Sequence, residues 1–164
     1  MIRVVLVWVL LVTLEGVTSG GSADLQRQTY RGLYSNVDYG FSVEIPKGLV
    51  GVGAALHAPN HGFVITLHPQ SLVSVDASYE VQDAPHVFVH YNARLGALKA
   101  EKRSWTTREN EKVLVHQSIT ARGFDRGSPI VYTIAADAVP EYQQDAYNAF
   151  EALVRSFRTF PVRP

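Results

Sequence analysis

Hydrophobic and polar positions alternate with a period of two over residues 41–45 and 113–121, and a helical period is clearest near the end of the chain. Phe41, Val43 and Ile45 are separated by Ser42 and Glu44, the spacing of a half-buried strand. Pro46 ends that strand because proline brings no N–H to a ladder, and Lys47-Gly48 turns the chain. Residues 50–56 (VGVGAAL) predict a weaker strand, since Gly51 and Gly53 offer no side chain to pack. A turn at Ala58-Pro59-Asn60-His61-Gly62 leads to residues 63–67 (FVITL), a β-branched strand bounded by Pro69. Residues 72–75 predict another strand, running on toward Tyr79 and Val81.

Segment 84–98 fits two periods. As a strand it puts His86, Phe88 and His90 on one face; as a helix it aligns Val87, Tyr91, Leu95 and Leu98. Asp83 as N-cap, Pro85 in the first turn and Gly96 as a stop favour a helix over 84–95. A meander of three strands follows. Residues 97–106 form the first, the cluster Thr107-Arg108-Glu109-Asn110 turns the chain, and Val113, Val115, Gln117, Ile119 and Ala121 line one face of the second. After a turn over 122–128, residues 130–136 (IVYTIAA) are apolar enough for a central strand. The last element is a helix over 140–157, with Tyr142, Ala146, Ala149, Phe150, Leu153 and Phe157 on one stripe. Pro140 suits its first turn, and Arg155 and Arg158 its negative end.

The amino terminus reads as an address. Met1-Ile2-Arg3 precedes an apolar run over 4–14, too short to span a bilayer, which needs roughly 20 residues. Small residues then follow through Ala23, so residues 1–23 are expected to be a signal peptide cleaved after Ser19 or Ala23. Residues 24–38 read as a polar linker joining the fold near Tyr34, and 39–160 as one α+β domain. After cleavage no transmembrane segment is expected, and the location is secreted or periplasmic.

Composition narrows the partners. With 15 basic and 15 acidic side chains in 164 residues, the chain has no long-range field for nucleic acid. It has no cysteine, hence no disulfide and no thiol chemistry. No asparagine has Ser or Thr two positions on, which suits a bacterial exported protein.

The histidines are the main concentration of possible ligands. His57 and His61 flank Pro59-Asn60 and His68 closes the next strand, a weak candidate metal set for zinc, copper or nickel. An offset of seven sends His61 and His68 to opposite faces of an uninterrupted strand, which counts against it. His86 and His90 would share a helix face, without the glutamate of the protease motif. No serine stands in a G-x-S-x-G setting, and the glycines do not form a phosphate loop. Lys99, Lys102, Arg103 and Arg108 surround Trp105 on one strand, best read as a solvated edge whose charge discourages edge-to-edge pairing. No catalytic residue and no cofactor is assigned.

The opening Gly40-Phe41-Ser42-Val43-Glu44-Ile45-Pro46 and the closing Phe150-Glu151-Ala152-Leu153-Val154-Arg155-Ser156-Phe157-Arg158 resemble the end motifs of the Mog1/PsbP-like fold group, over about residues 34–160. That resemblance implies an α/β/α sandwich, a twisted and mostly antiparallel sheet with helices packed on it. Its motifs specify packing, so it carries no catalytic residue to this chain. The expectation is an exported, non-enzymatic binding or accessory module of the envelope or secretome, with an envelope protein as a possible partner. The alternative is a metal-dependent or hydrolytic enzyme using the histidine cluster.

Overall fold

The computed structural model describes residues 28–53, 61–79, 91–109 and 112–162. Strands dominate. In chain order they are β1 (Thr29–Tyr30), β2 (Leu33–Asn36), β3 (Phe41–Glu44), β4 (Gly51–Val52), β5 (Gly62–His68), β6 (Ser71–Tyr79), β7 (Ala93–Leu95), β8 (Leu98–Glu109), β9 (Lys112–Asp125) and β10 (Ser128–Ala138). A 3-10 turn at Pro140–Tyr142 leads into α1 (Gln143–Ser156), and β11 (Arg158–Thr159) ends the fold. Eight strands form an antiparallel sheet in the order β1-β4-β5-β6-β10-β9-β8-β7, and β11-β3-β2 form a second, smaller sheet. The hairpin between β9 and β10 closes through Arg126-Gly127, both at positive φ, as a two-residue turn of this hand requires.

Residues paired across neighbouring strands share a face, so the register assigns the core. Phe63, Val75, Ile134 and Ile119 stand in one row of the large sheet, and Ala77, Tyr132 and Ala121 in the next. All are buried. On this face lie α1, which touches β10, β6 and β9, and strand β3 of the small sheet, which touches α1. The stripe on α1 does what its spacing predicts: Ala146, Ala149, Phe150 and Leu153 are buried.

The two end motifs close on each other. The Phe41 and Phe157 rings stack at 5.7 Å, and both meet Tyr132 edge-on. The Ser156 hydroxyl accepts the Glu44 N–H at 3.0 Å, and the Phe160 N–H donates to the Gly40 carbonyl at 2.8 Å. Gly40 is required there. Its φ is 62°, and an added Cβ would lie 2.4 Å from the Phe160 carbonyl oxygen.

Three expectations need correction. The large sheet carries one α-helix among the described residues, so the architecture is mostly antiparallel sheet and only partly the helix-rich sandwich. The stretch 24–38 contains β1 and β2, where Tyr34 and Asn36 are buried while Leu33 is exposed. Its polar composition hid a strand whose inward positions are a tyrosine and an asparagine. Asn36 is buried because its side-chain oxygen accepts the N–H groups of Asp38 and Tyr39. Most of the helix expected over 84–95 lies outside the described residues, but its end, residues 93–95, is strand β7. Leu95 is buried there, and Gly96-Ala97 turn the chain into β8 instead of stopping a helix.

Two predictions follow from the core. Phe157 is 1% exposed, so Phe157→Ala should lower unfolding free energy by about 3–5 kcal/mol in a denaturant titration; a loss near zero would mean the ring is not a keystone. Burial pushes the hydroxyls of Tyr34 and Tyr132 up from 10.0 to about 12. A raised folded-state pKa stabilises fully below the unfolded value, so this contribution should be present below pH 10 and lost as pH climbs through about 12. Denaturation midpoints followed with tyrosinate absorbance should fall over that window, and a flat profile would refute it.

Candidate functional site

Because side chains alternate across a pleated sheet, the face opposite α1 is written by the other register. One row runs Thr66, Leu72, Asp137, His116, Trp105 across β5, β6, β10, β9 and β8. The next runs Val64, Ser74, Ala135, Ser118, Arg103, and a third joins Asp76, Thr133, Thr120 and Glu101. Among the described residues no helix packs on this face. It is polar and small in its middle, and it carries an exposed tryptophan at one side.

His116 organises that row. Its Nδ1 lies 2.5 Å from Asp137 Oδ1 and its Nε2 lies 2.7 Å from Thr107 Oγ1. The carboxylate can only accept, so Nδ1 carries the proton and, in the neutral ring, the Thr107 hydroxyl donates to Nε2. A ring held at both nitrogens cannot turn. Trp105 lies parallel to it, at 5.1 Å and 11°. The histidine side chain is 14% exposed and Asp137 41%, while Trp105 keeps 45% of its surface open. The order hydroxyl, imidazole, carboxylate is also that of acyl-transfer triads, although here the hydroxyl is a threonine's.

Beside Trp105 the face opens into a cleft of about 750 Å³, lined by residues 101–105 of β8 with Ser118 and Thr120 of β9. Its charges are internally engaged. Arg103 Nε donates to Glu101 Oε1 at 2.8 Å, and Lys102 points to the opposite face, where Nζ meets Glu151 of α1 at 2.5 Å. Across the Asp137 row lies a second hollow of about 390 Å³ that includes Leu72, Leu114, Pro69 and Val139.

The histidines singled out in the sequence are not gathered here. His61 precedes β5 and His68 ends it, and the two have separate partners. His61 Nδ1 donates to the Ala77 carbonyl at 2.7 Å and the ring packs on Tyr39, whereas His68 stacks on Tyr142 at 3.8 Å. His57, His86 and His90 lie outside the described residues. Near His61, loss of water raises the Asp76 carboxyl pKa, an effect the histidine opposes.

His116, Asp137 and Thr107 were missed by the sequence reading, yet turn arithmetic contains them. Nine residues back from Asp125 is His116 and nine on from Ser128 is Asp137, so the tight hairpin alone makes them neighbours. The β8–β9 turn was expected at 107–110, but β8 runs to Glu109 and pairs with Lys112. That displaced turn hid both the Trp105–His116 pair and Thr107.

No family model matches the sequence, and no curated protein matches it. Solved structures do. The fold is similar to that of LpqN from Mycobacterium tuberculosis, described as involved in cell envelope biogenesis, with TM-score 0.52 and 12% identity, covering 83% of this chain and 92% of that one. It is similar to a Bacteroides thetaiotaomicron protein at TM-score 0.52 and 9% identity, over 79% of this chain; that match spans 48% of the other chain. The cyanobacterial PsbP of Synechocystis sp. PCC 6803 aligns at TM-score 0.40 and 16% identity, covering 88% of this chain and 98% of that one. The chain thus shares its overall fold with the LpqN structure. At such identities the likeness is one of fold alone.

If His116 fixes Trp105, replacing it should free the indole. In a chain lacking residues 1–23, Trp105 is the one tryptophan. His116→Ala should lower its fluorescence anisotropy and cost about 1–2 kcal/mol of stability through two lost hydrogen bonds. Unchanged anisotropy would show that the stack is incidental.

Proposed function

We propose that the chain is an exported accessory module of the bacterial cell envelope that binds its ligand or partner across the face of the large sheet opposite α1. The observation that carries this reading is one-sidedness. Core residues, α1 and the small sheet share one face, while the other holds a pre-positioned tryptophan beside a polar cleft. Convergent polar groups around a concavity are the usual mark of a binding site. Export is supported by the signal-like pattern of residues 1–23. An envelope role is supported by the fold of LpqN, described as involved in cell envelope biogenesis. No helix among the described residues is long and apolar enough to cross a membrane.

The reading is tested with the chain expressed from its own start in a bacterium. Mass spectrometry should find the exported protein beginning at Gly20 or Asp24, and amide spectra of that protein titrated with an envelope fraction should shift around Trp105, His116, Ser118 and Thr120. Retention in the cytoplasm, or shifts clustered on α1 instead, would refute it. Ester turnover abolished by Thr107→Ala would replace it with a hydrolytic reading.

A further inference from the structure

The chemistry of the cleft narrows what it can hold. No Val, Leu, Ile, Met or Phe lines it: residues 101–105 are Glu-Lys-Arg-Ser-Trp, and β9 adds the hydroxyls of Ser118 and Thr120. An acyl chain would meet one aromatic ring there and no aliphatic residue to continue the apolar contact that its binding needs. An anionic ligand needs an unengaged cation, but Arg103 is paired with Glu101 and Lys102 with Glu151. A cationic ligand meets the converse obstacle, because Arg103 already offsets the charge of Glu101, although one bond leaves both groups with hydrogen-bonding capacity to spare. The charges cancel within the cleft, and the complementary ligand is itself uncharged.

What remains is a hydroxyl-rich molecule with one flat, apolar face. Trp105 offers a matching plane, 45% exposed and held parallel to the immobilised His116 ring. An aromatic already locked in place loses little conformational entropy on binding. Around it stand donors and acceptors in planar or single-hydroxyl form: the Arg103–Glu101 pair, Ser118 and Thr120. We propose that the cleft binds a neutral oligosaccharide, with one pyranose ring laid on the free face of Trp105 and its hydroxyls held by Glu101, Arg103, Ser118 and Thr120. This rests on the binding reading above and names its ligand class.

The experiment titrates the processed chain with maltoheptaose and with chitotetraose by calorimetry and by the Trp105 indole signal. Phosphatidylglycerol vesicles and polyglutamate serve as comparison arms. At least one sugar should bind and shift the indole signal. Added salt should leave that affinity unchanged, because no charge is screened. Trp105→Ala should weaken binding about tenfold or more, as truncating an aromatic anchor does, and Glu101→Gln should weaken it less. Trp105 is exposed, so the variant should keep the wild-type melting curve. Binding of neither sugar at millimolar concentration, equal affinity in Trp105→Ala, or a preference for vesicles or polyglutamate would each overturn the assignment. If sugars fail while an envelope fraction still shifts the open-face amides, only the ligand class falls. If both fail, the binding reading falls with it.

Discussion

The fold depends on the contact between its two aromatic motifs. Phe41 begins β3 and Phe157 caps α1, and they stack over Tyr132 in the middle of the sheet. Aromatic pairs combine large buried area with a preferred geometry, so this contact sets position as well as supplying stability. The surrounding hydrogen bonds repeat the constraint: Ser156 to the backbone of Glu44, Phe160 to Gly40, and β11 along β3. Tyr132 joins it through its hydroxyl, which donates to the Tyr39 carbonyl at 2.8 Å. Without the clasp, α1 and the small sheet would have no fixed seat on the large one.

Seating α1 and the small sheet on one side leaves the opposite side to a different set of residues. Strands β8, β9 and β10 are long, and each inward residue is matched by an outward one. Lys102 shows the division at one position: its ammonium crosses to Glu151 on α1 and lies over the Tyr147 and Phe150 rings, while its neighbours Glu101 and Arg103 pair on the outer face. The same hairpin register that aligns Ile134 with Ile119 inside aligns Asp137 with His116 outside. Core packing and the arrangement around Trp105 are therefore two readings of one pairing pattern.

This explains what the sequence revealed and what it withheld. Alternation found β3 and β9, β-branched and apolar runs found β5, β6 and β10, and the stripe from Ala146 to Phe157 found α1, because burial leaves a pattern that composition cannot disguise. The motifs around Phe41 and Phe157 were legible as packing signals, and the structure shows why: they touch. The polar strand β2 was not legible, since its inward residues are Tyr34 and Asn36. The row through Trp105 was hidden for a different reason. It joins residues far apart in sequence, and its register turns on where the β8–β9 hairpin reverses, a shift of a few residues that changes every neighbour. Grouping histidines by nearness in sequence favoured His57, His61 and His68 for the same reason, whereas strand pairing brings His116 to its partners.

A sheet face on which no described helix packs must also avoid sticking to its own kind. Here the outer rows carry Thr66, Ser74, Ser78, Ser118, Thr120 and Thr133, which keep water close to the sheet. The neighbouring edge is managed as well. The Asn92 side-chain amide accepts the Lys102 N–H at 2.7 Å and donates to its carbonyl at 2.9 Å, occupying the place where another strand could begin to pair. Charged residues continue along β8 beyond that point. A face built to stay wet selects against greasy partners, so a ligand that belongs there has to replace water's hydrogen bonds instead of merely displacing water. Trp105 stands among these polar rows together with Val64 and Leu72, and what sets it apart is the stacked His116 ring, itself held by two hydrogen bonds.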